Sequence, residues 1–176
     1  MAESRKLVTG WEGRFYEDFG MGEVYRSRFG RTVTEMDNSM FTHLTMNTNP
    51  LHFDARLCAD TKWERILVNS TFTLALIVGM TVPDVSQNAM ANLGWEDVKL
   101  PNPVFVGDTL YCETVVLGKR ESRTYPEAGI VQVRSRGINQ DGKVVIDFTR
   151  SVMVYKKDSA PHHDQFPAIK GEPDPM

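Results

Sequence analysis

Ile66-Leu-Val-Asn-Ser-Thr-Phe-Thr-Leu-Ala-Leu-Ile-Val-Gly-Met-Thr-Val82 is the stretch on which the fold turns. Its apolar residues fall on every side of a helical wheel rather than along one stripe, the pattern of a helix buried all round. Ser70 and Thr71 offer hydroxyls near its start, as capping residues do. A helix over 66–82 that is apolar on all faces needs other elements to wrap it.

The flanking sequence supplies them. After Pro83 the pattern turns strand-like in four stretches, 89–98, 104–117, 129–139 and 143–155. Gly107-Asp108 and Asp141-Gly142 are turn signals between them, and Asp141-Gly142 is the clearest hairpin signal in the chain. Upstream, residues 23–33 (EVYRSRFGRTV) approximate period-two alternation through Val24, Phe29 and Val33, which predicts a strand broken by Gly30. Thr34 with Asp37 three residues on resembles a helix N-terminus, and Met36, Met40, Phe41 and Leu44 then recur at helical spacing, so a helix is expected over about 35–46. It must stop near Asn49-Pro50, because proline disfavours the α conformation in the residue before it. One long buried helix, a short helical excursion and about five strands predict an α+β domain whose antiparallel sheet wraps the helix. That is the architecture of a hot dog fold.

The 176 residues fit one domain, and 41% hydrophobic content is enough to give it a core. The predicted boundaries are a flexible segment over 1–13, the folded domain over 14–157, and a Pro-rich tail over 158–176. Twenty basic and 23 acidic residues are interspersed to a net charge of -3, so no basic stripe points to nucleic acid. Cys58 and Cys112 have no neighbouring Cys or His at metal-ligand spacing, which argues against a disulfide scaffold and a zinc site and for buried free thiols. His162-His163 likewise lack acidic or Cys partners. The start, MAESRKLVTGWEG, has no apolar signal-peptide region, and no apolar run is long enough to span a bilayer. A cytoplasmic location without membrane association is expected.

The densest polar cluster is Phe41-Thr-His-Leu-Thr-Met-Asn-Thr-Asn-Pro-Leu-His-Phe-Asp54. Its imidazole at His52 belongs to the side-chain type that titrates near neutral pH and suits proton transfer. Asn47 and Asn49 suit a helix C-cap and a turn, and the turn role is the one adopted for Asn49. Asp54 suits the N-cap of a following helix. His43 is expected on the helix surface.

The cluster resembles the hydratase 2 motif of MaoC-like and (R)-specific enoyl-CoA hydratases. In that motif an aromatic residue precedes Ser-Gly-Asp-x-Asn-Pro-aliphatic-His. Phe41 holds the aromatic place and Thr45 the Ser place, and Asn49-Pro50-Leu51-His52 matches directly. Met46 stands where the family has Gly, and Asn47 where it has its catalytic Asp. Val68-Asn69-Ser70 stands for a helix entry that usually reads Ala-His-Gly, and Pro103-Val-Phe-Val-Gly-Asp-Thr-Leu110 resembles the signature that follows. The resemblance covers roughly residues 15–155.

The resemblance implies a hydro-lyase acting on acyl-CoA thioesters, with no cofactor beyond the CoA of the substrate. Such chemistry needs a base for water, a proton for the α-carbon and donors for the developing enolate oxygen. His52 is the implied proton-transfer group, with Asn47 orienting the water through its carbonyl oxygen because an amide cannot act as a base. Asp54 is the other candidate base. Ser70 matches the position whose backbone N–H serves the oxyanion, with Asn69, Thr71 and Asn49 beside it as substrate-binding candidates. The pattern looks more like the mesaconyl-CoA and itaconyl-CoA hydratase branch, for which Arg65 is the candidate partner of a distal carboxylate. Lys119, Arg120 and Arg123 form the one compact basic group for CoA phosphates, or the exposed end of a hairpin. A homodimer joined edge to edge is implied, or a higher assembly of such dimers. The competing readings are a hot dog thioesterase and a non-catalytic acyl-CoA-binding subunit that lost its chemistry with the family Asp.

Overall fold

The computed structural model describes residue 8, residues 10–161, and residues 167 and 170. Most of the tail expected over 158–176, including His162 and His163, lies outside the described residues. The elements run β1 (Val24–Arg26), β2 (Arg31–Thr32), α1 (Glu35–Leu44), α2 (Ala55–Ala59), α3 (Ser70–Thr81), β3 (Ala89–Lys99), β4 (Thr109–Glu121), β5 (Ala128–Asn139) and β6 (Val144–Tyr155). The sheet is antiparallel with order β1-β4-β5-β6-β3, and β2 also pairs with β4. α3 lies across β4 and β5.

This is the wrapped-helix α+β architecture read from the sequence. Its contact is close because Gly137 on β5 has no side chain: a Cβ there would sit 2.7 Å from both Ile77 on α3 and Ile146 on β6. Ile77 packs with Val33, Leu110, Cys112, Ile146 and Phe148 in one apolar cluster. Beyond the end of α3, Tyr16, Phe19 and Val85 close a second cluster on Val116, Val131, Val133 and Val152.

Three boundaries differ from the reading for identifiable reasons. α3 begins at Ser70 rather than 66, because 66–69 is held extended: Val68 N–H donates to Val104 O at 2.9 Å, and Leu67 forms a β-bridge with Phe105. The strand expected from 104 starts at Thr109, since the Asp108 carboxylate accepts the Phe105 N–H at 2.9 Å and turns the chain first. The strand expected over 23–33 is two short pieces, interrupted at 27–30. The N-terminal segment is tied to the body at Trp11, whose Nε1 donates to Pro83 O at 2.9 Å.

The helix faces depart further. α1 forms where the capping signal put it, with Asp37 N–H donating to Thr34 Oγ1 and Thr34 N–H to the Asp37 carboxylate. Its apolar stripe points outward: Met36, Met40 and Leu44 are 73%, 57% and 77% exposed. The buried face is polar, made of Asn38 and Thr42. α3 is not buried all round either, for Thr73, Ile77 and Thr81 face the core while Ala75 and Gly79 are exposed. This single chain covers one side of α3 and leaves the other as a groove. Among the described residues no helix is long and apolar enough to cross a membrane.

Candidate active site

The loop after α1 brings the motif residues together through backbone bonds. α1 ends at Leu44 with Thr45 as its C-cap, and Met46 follows in the left-handed region at φ 54°. Asn47 N–H then donates to Thr42 O at 3.0 Å, and the Asn47 side-chain oxygen accepts the Asn49 N–H at 3.0 Å. Asn49 in turn accepts the Leu51 N–H at 3.1 Å and caps a single 3₁₀ turn over Pro50–His52. Asp54 accepts the Leu57 N–H at 3.0 Å and N-caps α2. Asn49 and Asp54 therefore hold structural positions, as the residue types suggested.

His52 is half-buried at the end of that turn, with Nδ1 3.1 Å from Leu67 O. A carbonyl oxygen only accepts, so the neutral ring in this contact carries its proton on Nδ1 and presents the Nε2 lone pair away from it. Leu67 is fixed on its other side by donating its N–H to Leu51 O at 3.0 Å. The base candidate and the strand leading into α3 are thus one bonded unit.

Three residues beyond Leu67, α3 begins. Asn69 is buried and its side-chain oxygen accepts both the Thr71 N–H at 3.0 Å and the Thr71 hydroxyl at 2.7 Å. Asn69 and Thr71 accordingly serve the cap. Ser70 is exposed at the first helical position, where a backbone N–H has no intrahelical acceptor and lies at the positive end of the helix dipole. An open apolar groove of about 540 Å³ starts one residue pair further on, lined by Phe41, Phe72, Ala75, Leu76, Gly79 and Met80. Phe41, the aromatic residue of the motif, packs edge-on against Phe72 with ring centroids 5.5 Å apart.

The side-chain oxygen of Asn47 accepts the Asn49 N–H with one of its two lone pairs, so the other remains for a water, and the amide nitrogen has no partner among the described residues. The expectation for the basic group changes. Lys119 is occupied: its ammonium donates to Tyr16 O at 3.3 Å and lies over the Tyr16 ring. That basic group also sits at the far end of β4 from the 104–108 turn, roughly 35 Å along the strand. Arg65 is exposed, its guanidinium 3.7 Å from the centroid of Phe105, the residue bridged to Leu67. It makes no ion pair among the described residues. His43 is exposed beside Phe53. Sequence reading missed Asn38, whose side chain bonds to His52 O, Leu67 O and Asn69 N–H.

An antiparallel sheet wrapped on one long helix, with a histidine-bearing turn bonded to the strand that enters that helix, defines a hot dog protein. The chain belongs to the MaoC-like domain family, whose model matches residues 18–136. It is 36% identical over 148 residues to a mesaconyl-CoA hydratase of Cereibacter sphaeroides, covering 84% of this chain and 43% of that relative. An (R)-specific enoyl-CoA hydratase of Aeromonas caviae is 26% identical over 143 residues, covering 81% of this chain and 92% of that one. Among solved structures, a putative MaoC domain protein dehydratase from Chloroflexus aurantiacus superposes with a TM-score of 0.81 at 34% identity, over 89% of this chain and 45% of that one. A Mycobacterium tuberculosis protein described as having a double hotdog fold gives 0.76 at 25% identity, over 89% and 47%. The chain spans less than half the length of the mesaconyl-CoA hydratase it matches.

Proposed function

We propose that this chain is a hydro-lyase that adds or removes water across the α,β double bond of an acyl-CoA thioester. The observation that carries the reading is the His52 ring bonded through Nδ1 to Leu67 O, with the open start of α3 three residues on. In hydration, His52 Nε2 takes a proton from water while the oxygen bonds to the β-carbon. The π electrons shift toward the thioester carbonyl, whose developing charge is held by the Ser70 N–H and the helix dipole. The imidazolium then returns its proton to the α-carbon, so one water is added and the base regenerated. Dehydration is the reverse. No cofactor beyond the CoA of the substrate takes part.

A branched dicarboxylic acyl group of the mesaconyl type is the substrate favoured. The higher identity to the mesaconyl-CoA hydratase than to the (R)-specific enoyl-CoA hydratase supports it. Arg65, held on the Phe105 ring and free of ion pairs among the described residues, is the group to meet the distal carboxylate. Asn47 orients the water through the lone pair its side-chain oxygen keeps beside the Asn49 N–H, and its amide nitrogen is a further donor to the water or the substrate. The working assembly is a cytoplasmic homodimer in which a second copy covers the exposed apolar surface of α1, the α3 groove and the β3 edge.

The test is a panel of enoyl-CoA and 3-hydroxyacyl-CoA thioesters, followed by the absorbance of the conjugated thioester, with wild type and His52→Ala. Turnover of at least one by wild type, reduced about 10²- to 10⁴-fold in His52→Ala, is expected. Absence of hydration and dehydration on the whole panel sinks the reading, and release of free thiol would mark a thioesterase instead.

A further inference from the structure

The polar buried face of α1 has a specific use. Asn38 is 1% exposed, so each polar atom of its side chain must find a partner inside the protein. Its Nδ2 donates to His52 O at 2.9 Å and to Leu67 O at 3.2 Å, and its Oδ1 accepts the Asn69 N–H at 2.8 Å. One planar amide therefore binds the backbone of His52, the carbonyl that faces the His52 ring, and the residue that caps α3. These three groups lie 14, 29 and 31 residues away from Asn38 in the chain.

The shared oxygen is the informative atom. Leu67 O faces both Asn38 Nδ2 and His52 Nδ1, and a carbonyl has two lone pairs with which to accept both. With one direction taken by Asn38, the other remains for the ring, and the ring must present an N–H there. A water in place of Asn38 could satisfy the oxygen but would not tie it to the backbone of residues 52 and 69. Thr42, one turn along the same face, adds a weaker contact, its hydroxyl 3.4 Å from Asn69 Nδ2. Asn38 alone in this face touches both the histidine-bearing turn and the α3 entry.

We propose that Asn38 is a positioning residue for the hydration chemistry, holding His52 in its Nδ1–H form and fixing that ring against the start of α3. The inference rests on the function proposed above for its catalytic consequence. Asn38 touches no substrate and acts through His52, Leu67 and Asn69. A purely structural amide would also lower stability when removed, so stability cannot be the readout. What distinguishes the two is the proton position on His52 and the division of the kinetic effect between kcat and KM.

The experiment uses the full chain labelled with ¹⁵N in histidine, with the His52 signals assigned by their loss in His52→Ala. Long-range ¹H–¹⁵N spectra are recorded at a pH where the ring is neutral, for wild type, Asn38→Ala and Val131→Ala. Val131 is buried in the second apolar cluster and serves as a destabilised control away from the site. Wild type and Val131→Ala are expected to show a single Nδ1–H tautomer. Asn38→Ala is expected to show mixed tautomers and about a 10²-fold loss of kcat, the scale of a misplaced catalytic group, with KM changed far less. A folded Asn38→Ala with the wild-type tautomer and kcat overturns the proposal. An Nε2–H ring in wild type overturns it without any variant, which keeps the test valid if Asn38→Ala does not fold. Lack of wild-type turnover on every thioester defeats the function proposed above, whereas the tautomer comparison still decides whether Asn38 controls His52.

Discussion

The side-chain oxygen of Asn47 accepts the backbone N–H of Asn49 at 3.0 Å, which leaves its amide nitrogen as the free end beside the motif. A carboxylate at 47 can make the same turn with one oxygen, so Asn47→Asp should fold like wild type. It replaces a donor with an acceptor at the free end and adds a second base. Hydratase activity in Asn47→Asp is expected to persist within about tenfold of wild type, whereas Asn47→Ala, which loses one hydrogen-bonding group, should cost about tenfold in kcat. Steady-state kinetics and melting curves of the three proteins check this. An inert wild type with an active Asn47→Asp would mean a binding protein that had lost its chemistry.

Met46 lies at φ 54° directly after the end of α1 and is exposed. A side chain in the left-handed region crowds its own backbone, and glycine does not. The position therefore calls for the Gly that the hydratase 2 motif carries. Met46→Gly should stabilise the fold by about 1 kcal/mol, measured by denaturant unfolding. A loss of stability would show that the Met46 side chain makes contacts in the assembled protein that outweigh the strain.

How much was legible follows from what each signal measures. The capping pattern at Thr34 and Asp37 reports local backbone geometry, and α1 starts where it pointed. The Met36, Met40, Leu44 spacing reports one apolar side without saying what covers it, and in this chain that side faces outward. His52 was singled out by the resemblance of Asn49-Pro50-Leu51-His52 to the hydratase 2 motif, a contiguous stretch whose turn closes through its own local bonds. Asn38 was not, because an Asn inside a helix reads as part of a solvated face. Its three partners lie 14 to 31 residues away. The orientation of the Asn47 amide had the same fate, since an Asx turn decides it rather than the chemistry of the family position.

Asp147 on the outer face of the sheet receives a two-pronged hydrogen bond from Arg134, at 2.8 and 2.6 Å. That bond outweighs partial burial and, with the charges of Arg134 and Arg136, holds the carboxyl below the usual aspartate range. A carboxyl depressed in the folded state adds stability above its unfolded pKa and loses it as pH falls through the folded value. Asp147→Asn should therefore be less stable than wild type at neutral pH, by about 0.5–1 kcal/mol for a pair whose Arg is half exposed. The difference should vanish in acid below the aspartate range. A difference independent of pH would mean that packing, and not charge, is what Asp147 supplies.

Assembly is the last test, and the surface makes it specific. β3 pairs with β6 along one side only, so its other edge is open among the described residues. An open edge is a liability that proteins cover or pair. Leu93, Trp95 and Val98 on that strand are each more than two-fifths exposed, as is the Met36, Met40, Leu44 stripe of α1. Apolar exposure of this kind marks an interaction surface. Pairing β3 with β3 of a second copy would extend the sheet across both chains. Light scattering at micromolar concentration should therefore report a dimer. Trp95→Lys should weaken it by about tenfold or more, the effect of losing an aromatic anchor. Met40→Glu separates the two surfaces: dissociation by Met40→Glu but not Trp95→Lys would place the contact on α1 and the α3 groove instead of the sheet edge. A monodisperse wild-type monomer would defeat both arrangements and leave the exposed apolar surface to a different chain.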